Sequence, residues 1–252
     1  MSFTLDPTVV VSFLLVMTRL VTVLTIAPPF GGSLVPTRVR VAIAASISLL
    51  IAPLQGGEVS LELSTLIVSI AYQVAVGAIF GFLIQLLLSA PLVAGTMIDN
   101  MAGLAAAGLF DPMSNTSATP GARLNQMVTT IVLVGMEGHL LIIRGVLRSY
   151  EAAPLSGFRV DGLDSLMTEA VGQLLLAAIE IALPLLVALL MTEAVLGLAA
   201  RAAPRLNVMV VGFAVKSIVF MLGFALTIPL LINAVSTLLD RSLRWALVVT
   251  GS

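Results

Sequence analysis

The run LMTEAVGQLLLAAIEIALPLLVALLMTEAVLGLAA, residues 166–200, is apolar along nearly its whole length and contains one proline, Pro184. A transmembrane helix needs about 20 apolar residues to cross the hydrocarbon core, so this run is too long for one straight span. Lipid cannot satisfy the open edge of a sheet, and helices therefore form the spans. The run predicts an all-α membrane protein whose helices include long, broken or tilted ones.

The composition supports the same class. Of 252 residues, 59% are hydrophobic and 10% are charged, with mean hydropathy +1.15, whereas soluble domains carry roughly 25% charged residues. The net charge of −1 provides no basic surface for a nucleic-acid backbone, so we expect no nucleic-acid partner. The chain has no cysteine, which excludes disulfides and thiolate metal sites.

About six apolar segments follow one another along the chain. They lie at about 9–28, 39–54, 66–98, 124–147, 166–200 and 206–239. The segment 66–98 contains Pro91 and is also too long for one span. No repeat or linker divides the sequence, so residues 1–252 are expected to form a single domain. The arginines in the connections between segments are split evenly, and this split does not define an orientation.

One face of the third segment carries small and amide residues. They recur at every fourth position: Gln73, Gly77, Gly81 and Gln85. Small residues at this spacing let two helix backbones approach closely, and amides there can form hydrogen bonds to a neighbouring helix. The stripe predicts helix packing, either within the chain or with another subunit.

Charged and polar residues inside the apolar segments form a second candidate site. The set consists of Glu137, His139, Arg144, Glu180, Glu193 and Lys216. A charge at the centre of a lipid-facing helix costs at least about 2.5–3.5 kcal/mol, so these residues must face protein or water. They are interpreted as buried structural partners, as the wall of a hydrated conduit or as a subunit interface. On a continuous helix through residues 126–148, Glu137 and Arg144 could form an ion pair two turns apart.

Catalytic and cofactor motifs are not found in the sequence. The sequence EGH at residues 137–139 is not a zinc-binding H-E-x-x-H, and His139 is the only histidine. No Walker A loop or dinucleotide-binding fingerprint occurs. We therefore expect neither an enzyme nor a bound cofactor.

The stretch GLAAAGLFDPMSNTSATPGAR, residues 103–123, is small, polar and rich in turn-forming residues. Its glycines and prolines disfavour a continuous helix. Its Ser, Thr and Asn side chains tolerate water, while an apolar group lies near its centre. From the residues alone, an exposed loop is the simpler interpretation.

Four stretches together resemble the FliR family, the flagellar export-gate subunits whose counterpart in virulence injectisomes is called SctT. These are RLVTVLTIAPPFGGSLVPTRVRVAIAASISLL (19–50), AGLFDP (107–112), GHLLIIRGVLRSYEAAPLS (138–156) and RAAPRLNVMVVGFAVKSI (201–218). The resemblance covers nearly the whole chain.

The resemblance implies a subunit of a helical, hetero-oligomeric channel core formed with FliP and FliQ. Such a core lies in the flagellar basal body at the bacterial inner membrane, and FlhA and FlhB act beside it. Unfolded flagellar subunits pass through the channel. Helices that pack on other subunits rather than on lipid need not have a regular span length.

The resemblance also implies that residues 103–123 form a plug that helps to close the channel. On this interpretation the plug or gate consists of Leu109, Phe110, Asp111, Pro112 and Met113. Apolar side chains in a constriction can exclude water and ions. A stand-alone secondary transporter, with its broken helices and intramembrane charges as the substrate site, is the main alternative. An intramembrane enzyme would need a catalytic pair that the sequence does not provide.

Overall fold

The computed structural model of the chain describes residues 7–32, 35–54, 62–105, 119–153, 155, 163–203 and 207–249. Within these ranges all regular structure is helical, as the composition predicts. The helices are α1 (Pro7–Ile26), α2 (Thr37–Ile51), α3 (Leu63–Leu88), α4 (Ala90–Ala102), α5 (Pro120–Gly135), α6 (Gly138–Ala152), α7 (Leu163–Ala202) and α8 (Val208–Val249). A short 3₁₀ turn, Ala52–Leu54, follows α2.

Five helical segments in the described ranges are long and apolar enough to cross a membrane. They are α1, α2 with the 3₁₀ turn, α3 with α4, α7 and α8. A sixth span is obtained if α5 and α6 are counted together as one broken span. The prediction of about six apolar helical segments, some of them broken, is confirmed. Large apolar side chains on α7 and α8 are widely exposed, including Leu198 (65%), Met209 (87%) and Leu226 (77%). Exposed apolar area of this extent requires lipid or other chains to cover it.

Two prolines in the long segments have different effects. The apolar segment 66–98 is interrupted at Ser89, between α3 and α4, and Pro91 lies in the first turn of α4. The two helices nevertheless count as one candidate span, Leu63–Ala102. Pro184 lies inside α7, where the helix continues on both sides without the expected break. A proline interrupts one backbone hydrogen bond, and membrane helices tolerate this loss when neighbouring groups compensate for it.

The sequence interpretation of residues 126–148 as one helix is wrong. The chain leaves helical geometry between α5 and α6, and Glu137 there adopts the left-handed conformation with φ 59°. The interruption lies between two glycines, Gly135 and Gly138. A Cβ atom added to Gly138 would lie 2.6 Å from Leu133 Cδ1 and 2.8 Å from its carbonyl oxygen, so the tight turn depends on a residue without a side chain.

Contacts group the chain into two compact units. The first comprises Met1–Leu87, Leu133–Ala170 and Leu238–Ser252. Its core includes Leu15, Leu20, Phe80, Leu83 and Ile142, all buried. The second comprises Leu88–Val132 and Val171–Thr237, with a core that includes Ile98, Ala122, Leu185 and Leu231. Single-domain behaviour of residues 1–252 stays a prediction.

Candidate functional site

A fully buried arginine, Arg19 on α1, lies at the centre of a polar cluster in the first unit. Its Nε donates a hydrogen bond to Gln73 Oε1 at 2.6 Å. Its Nη1 donates to the carbonyl oxygen of Ser149 at 2.9 Å and to the hydroxyl oxygen at 3.2 Å. Its Nη2 donates to the Ala153 carbonyl oxygen at 2.9 Å. Arg19 therefore links α1 to α3 and to the end of α6.

The acceptors of Arg19 in this cluster are neutral, and no described carboxylate forms an ion pair with it. Two of them are carbonyl oxygens at the carboxyl end of α6, where a helix carries roughly half a negative charge. The guanidinium also lies 4.3 Å from the centre of the Tyr150 ring, a favourable cation–π geometry. Tyr150 in turn donates its hydroxyl proton to the Val16 carbonyl oxygen at 2.8 Å. The helix end and the ring take the place of a counterion.

The stripe on α3 contacts α1 in its first three members. Gln73 is buried in the Arg19 cluster, and its Nε2 donates to the Leu155 carbonyl oxygen at 3.5 Å. A Cβ atom added to Gly77 would lie 2.9 Å from the Arg19 carbonyl oxygen, and one added to Gly81 would lie 3.0 Å from Ile26 Cβ. Gln85, the fourth member, is exposed. The glycines let α1 and α3 approach closely, which brings Gln73 within reach of Arg19.

The only lysine in the chain, Lys216 on α8, forms an ion pair in the second unit. Its Nζ lies 3.0 Å from Glu193 Oε2 on α7, and it also donates to the Met101 carbonyl oxygen of α4 at 3.4 Å. The Glu193 side chain is 56% exposed, so water weakens the attraction and the pair contributes no more than about 1 kcal/mol. The contact is better suited to position three helices than to stabilise them.

A buried carboxylate, Asp99 on α4, binds the first turn of α5. Its Oδ2 accepts hydrogen bonds from the backbone amides of Gly121 at 2.8 Å and Ala122 at 3.0 Å. An acidic group at a helix amino terminus satisfies amides that lack partners within the helix and interacts favourably with its positive end. Asp99 Oδ1 has no hydrogen-bond partner. The carboxylate joins the two helices that flank residues 103–119.

Four other predicted residues have different surroundings. Glu137, Arg144 and Glu180 are exposed. The expected Glu137–Arg144 ion pair is not formed, because the break before α6 removes the continuous helix that the pairing required. His139, in the first turn of α6, is half-buried, and its Nδ1 has no hydrogen-bond partner.

The predicted plug residues Leu109, Phe110, Asp111, Pro112 and Met113 lie outside the described residues. Near one end of the segment, Gly103 ends α4 in the left-handed conformation with φ 80°. Among the described residues, no group of three or more His, Asp or Glu side chains is arranged to hold a metal ion. The described polar groups can position helices and form contacts.

Comparison with known proteins identifies the family. The sequence profile for "Bacterial export proteins, family 1" matches residues 10–242. FliR of Escherichia coli (strain K12), a flagellar biosynthetic protein, is 29% identical over 215 residues, covering 84% of this chain and 82% of that protein. FliR of Bacillus subtilis (strain 168) is 23% identical over 248 residues, covering 95% and 96%. Yop proteins translocation protein T of Yersinia pestis is 30% identical over 185 residues, covering 71% and 70%.

The family match extends over residues 10–242 and agrees with the apolar helices of the chain. The chain therefore belongs to the family of bacterial export proteins, family 1, and is a FliR-family type III export protein.

Proposed function

We propose that the chain is a structural and gating subunit of the flagellar type III export channel, and that its role is not enzymatic. It assembles with FliP and FliQ into the channel core of the basal body in the bacterial inner membrane, next to FlhA and FlhB. Unfolded flagellar subunits pass through this core. The observation that carries the proposal is the match of the export family to residues 10–242.

The exposed surfaces support assembly with other chains. Charged residues such as Glu180 are exposed on α7 among exposed apolar residues such as Leu176 and Leu183. A wholly lipid-covered helix would bear the cost of such a charge, at least about 2.5–3.5 kcal/mol near the bilayer centre. Protein subunits or a hydrated channel on one side and lipid on the other remove this cost. Glu137, His139, Arg144, Glu180, Glu193 and Lys216 are proposed to face these polar surroundings.

The flagellar assignment rests on the share of this chain that each relative matches. The E. coli FliR match extends over 84% of this chain, whereas the Yersinia pestis match extends over 71% at nearly the same identity. The test is export in a flagellated strain that lacks its own copy of this gene. We expect the chain to restore secretion of hook and filament subunits, and secretion only of injectisome substrates would contradict the flagellar assignment.

The gating role is assigned to residues 103–123, with Leu109, Phe110 and Met113 as the apolar stopper. The described ends of this segment are held in ways that suit a plug. Lys216 donates to the Met101 carbonyl oxygen shortly before the segment, and Asp99 binds the amides of Gly121 and Ala122 at its end. A segment with fixed ends can occupy one position in a channel reproducibly.

Deleting residues 105–119 tests the gate. We expect the deletion variant to assemble and to make membranes leaky to small ions, measured as conductance in planar bilayers or as loss of membrane potential. A second variant changes Leu109, Phe110 and Met113 to serine and keeps the length of the segment, and Ser117→Ala serves as its control. If both the deletion variant and the serine variant assemble and remain as tight as the wild type, the plug assignment is wrong.

A further inference from the structure

Five exposed charges lie on α6 and on the last part of α8 in the first unit. They are Arg144, Arg148 and Glu151 on α6 and Asp240 and Arg244 on α8. The three residues of α6 are separated by four and three positions, which places them on one face of that helix. Asp240 and Arg244 are four positions apart and therefore share one face of α8. We call these five residues the charged seam.

The two helices bring their charges to the same side. A Cβ atom added to Gly138 would lie 3.0 Å from Leu239 Cδ2, and one added to Gly145 would lie 2.8 Å from Leu243 Cδ2. The helices therefore touch along paths that run in the same direction. In two parallel helices, the residue that precedes the contact residue on one helix and the residue that follows the contact residue on the other project to the same side of the helix pair. Arg144 precedes Gly145 on α6, and Arg244 follows Leu243 on α8, so the two arginines lie on the same side.

The seam has no ion pair within the described part of the chain. The ion pair found there, Lys216–Glu193, lies in the other unit. Arg244 donates a hydrogen bond of 3.4 Å from its Nε to the backbone oxygen of Asp240. Apolar lipid tails cannot satisfy such charges, which must face water or another molecule.

We propose that the charged seam is a docking surface for another polypeptide, one whose contacting face carries both basic and acidic side chains. This inference rests on the proposed function, because it requires a hetero-oligomer. The seam carries three basic and two acidic residues. A lipid phosphate would meet repulsion from Glu151 and Asp240, and a metal cation would meet repulsion from the arginines. A partner helix with acidic and basic side chains in register can pair with both, which gives specificity and orientation.

A unique cysteine tests the seam, because the chain contains none. Arg148→Cys is introduced into the full chain, and its reaction rate with a membrane-impermeant maleimide is measured in two preparations. One is the isolated chain in detergent, and the other is the complex recovered with its neighbouring gene products. We expect the rate in the complex to be at least about tenfold lower, and SDS-denatured protein gives the full labelling reference.

Other results would overturn the proposal in distinguishable ways. Equal rates in the isolated chain and in the complex would mean that the seam faces water, as in a hydrated lumen. The same tenfold protection of the isolated chain in phosphatidylglycerol vesicles, but not in phosphatidylcholine vesicles, would identify lipid headgroups as the occupant. If the wild-type chain recovers no other chain, the proposed function and the seam both fail.

A matched pair of charge variants gives a second test. Arg144→Glu with Arg148→Glu reverses two charges, whereas Arg144→Lys with Arg148→Lys keeps them. We expect the glutamate pair to lower the yield of the complex at least about tenfold and the lysine pair to retain it. Equal yields from the two variants would contradict docking through the seam.

Discussion

Replacing Arg19 by methionine would remove the centre of the polar cluster and keep most of the side-chain volume. Four acceptors lose a donor: Gln73 Oε1, the Ser149 carbonyl oxygen, the Ser149 hydroxyl oxygen and the Ala153 carbonyl oxygen. The Ser149 carbonyl keeps its hydrogen bond from the Ala153 amide at 2.9 Å. The Ser149 hydroxyl keeps its own hydrogen bond to the Val146 carbonyl oxygen at 2.6 Å. Gln73 Oε1 and the Ala153 carbonyl oxygen are left without a donor in a buried site.

The magnitude follows from these two acceptors. A hydrogen bond to a charged group contributes about 1.5–3 kcal/mol net of hydration. Counting only the two acceptors left without a donor, at the lower value, Arg19→Met should lower the free energy of unfolding by about 3 kcal/mol. This corresponds to roughly a hundredfold change in the unfolding equilibrium. Arg19→Lys keeps the charge but loses the planar fork, and we expect an intermediate loss.

The assay is denaturant unfolding of the isolated chain in detergent, followed by the fluorescence of Trp245, the only tryptophan, which lies in the same unit. Arg38→Met is the matched control, because Arg38 is exposed and surface substitutions usually change stability by less than about 0.5 kcal/mol. If Arg19→Met and Arg38→Met unfold at the same denaturant concentration, the cluster does not stabilise the first unit.

Two further predictions concern the second unit. Asp99→Ala leaves two amides in the first turn of α5 without an acceptor. We expect the free energy of unfolding to fall by about 2 kcal/mol and hydrogen exchange in that turn to become faster. Asn100→Ala, at an exposed residue, is the control. Unchanged exchange would contradict the capping role. Gly95→Ala places a methyl group 2.6 Å from the Ala122 Cα atom, and we expect it to lower the midpoint temperature of unfolding. Gly172→Ala places its methyl group in open space and should leave this temperature unchanged or raise it. Equal midpoints for the two alanine variants would show that α4 and α5 do not need this close contact.

The sequence predicted the features that depend on local composition. Apolar length gave the membrane helices, and the resemblance to the FliR family is confirmed by the comparisons. Pro91 indicated the short interruption that the structure has at Ser89, between α3 and α4. The break before α6 was missed because no proline marks it, although the two glycines in GMEG, residues 135–138, were a usable signal. Pro184 was a misleading one, since α7 continues through it.

The polar clusters were harder to predict because their partners are distant in sequence. Arg19 binds Ser149, 130 residues away, so the residues around Arg19 in the sequence do not indicate its partner. A single arginine inside the first apolar run was the available signal. Asp99 was missed for a similar reason, since its partners Gly121 and Ala122 lie 22 and 23 residues further along the chain. Neither pairing follows from helical periodicity.

We propose that this chain functions inside a hetero-oligomeric export channel. Native mass spectrometry tests it most directly, using the tagged chain after gentle detergent extraction and co-expression with its neighbouring genes. We expect a large complex that contains one copy of this chain and several copies each of two other small helical proteins. A stable monomer or homodimer, with the neighbouring proteins shown to be expressed, would contradict the claim and favour a stand-alone transporter.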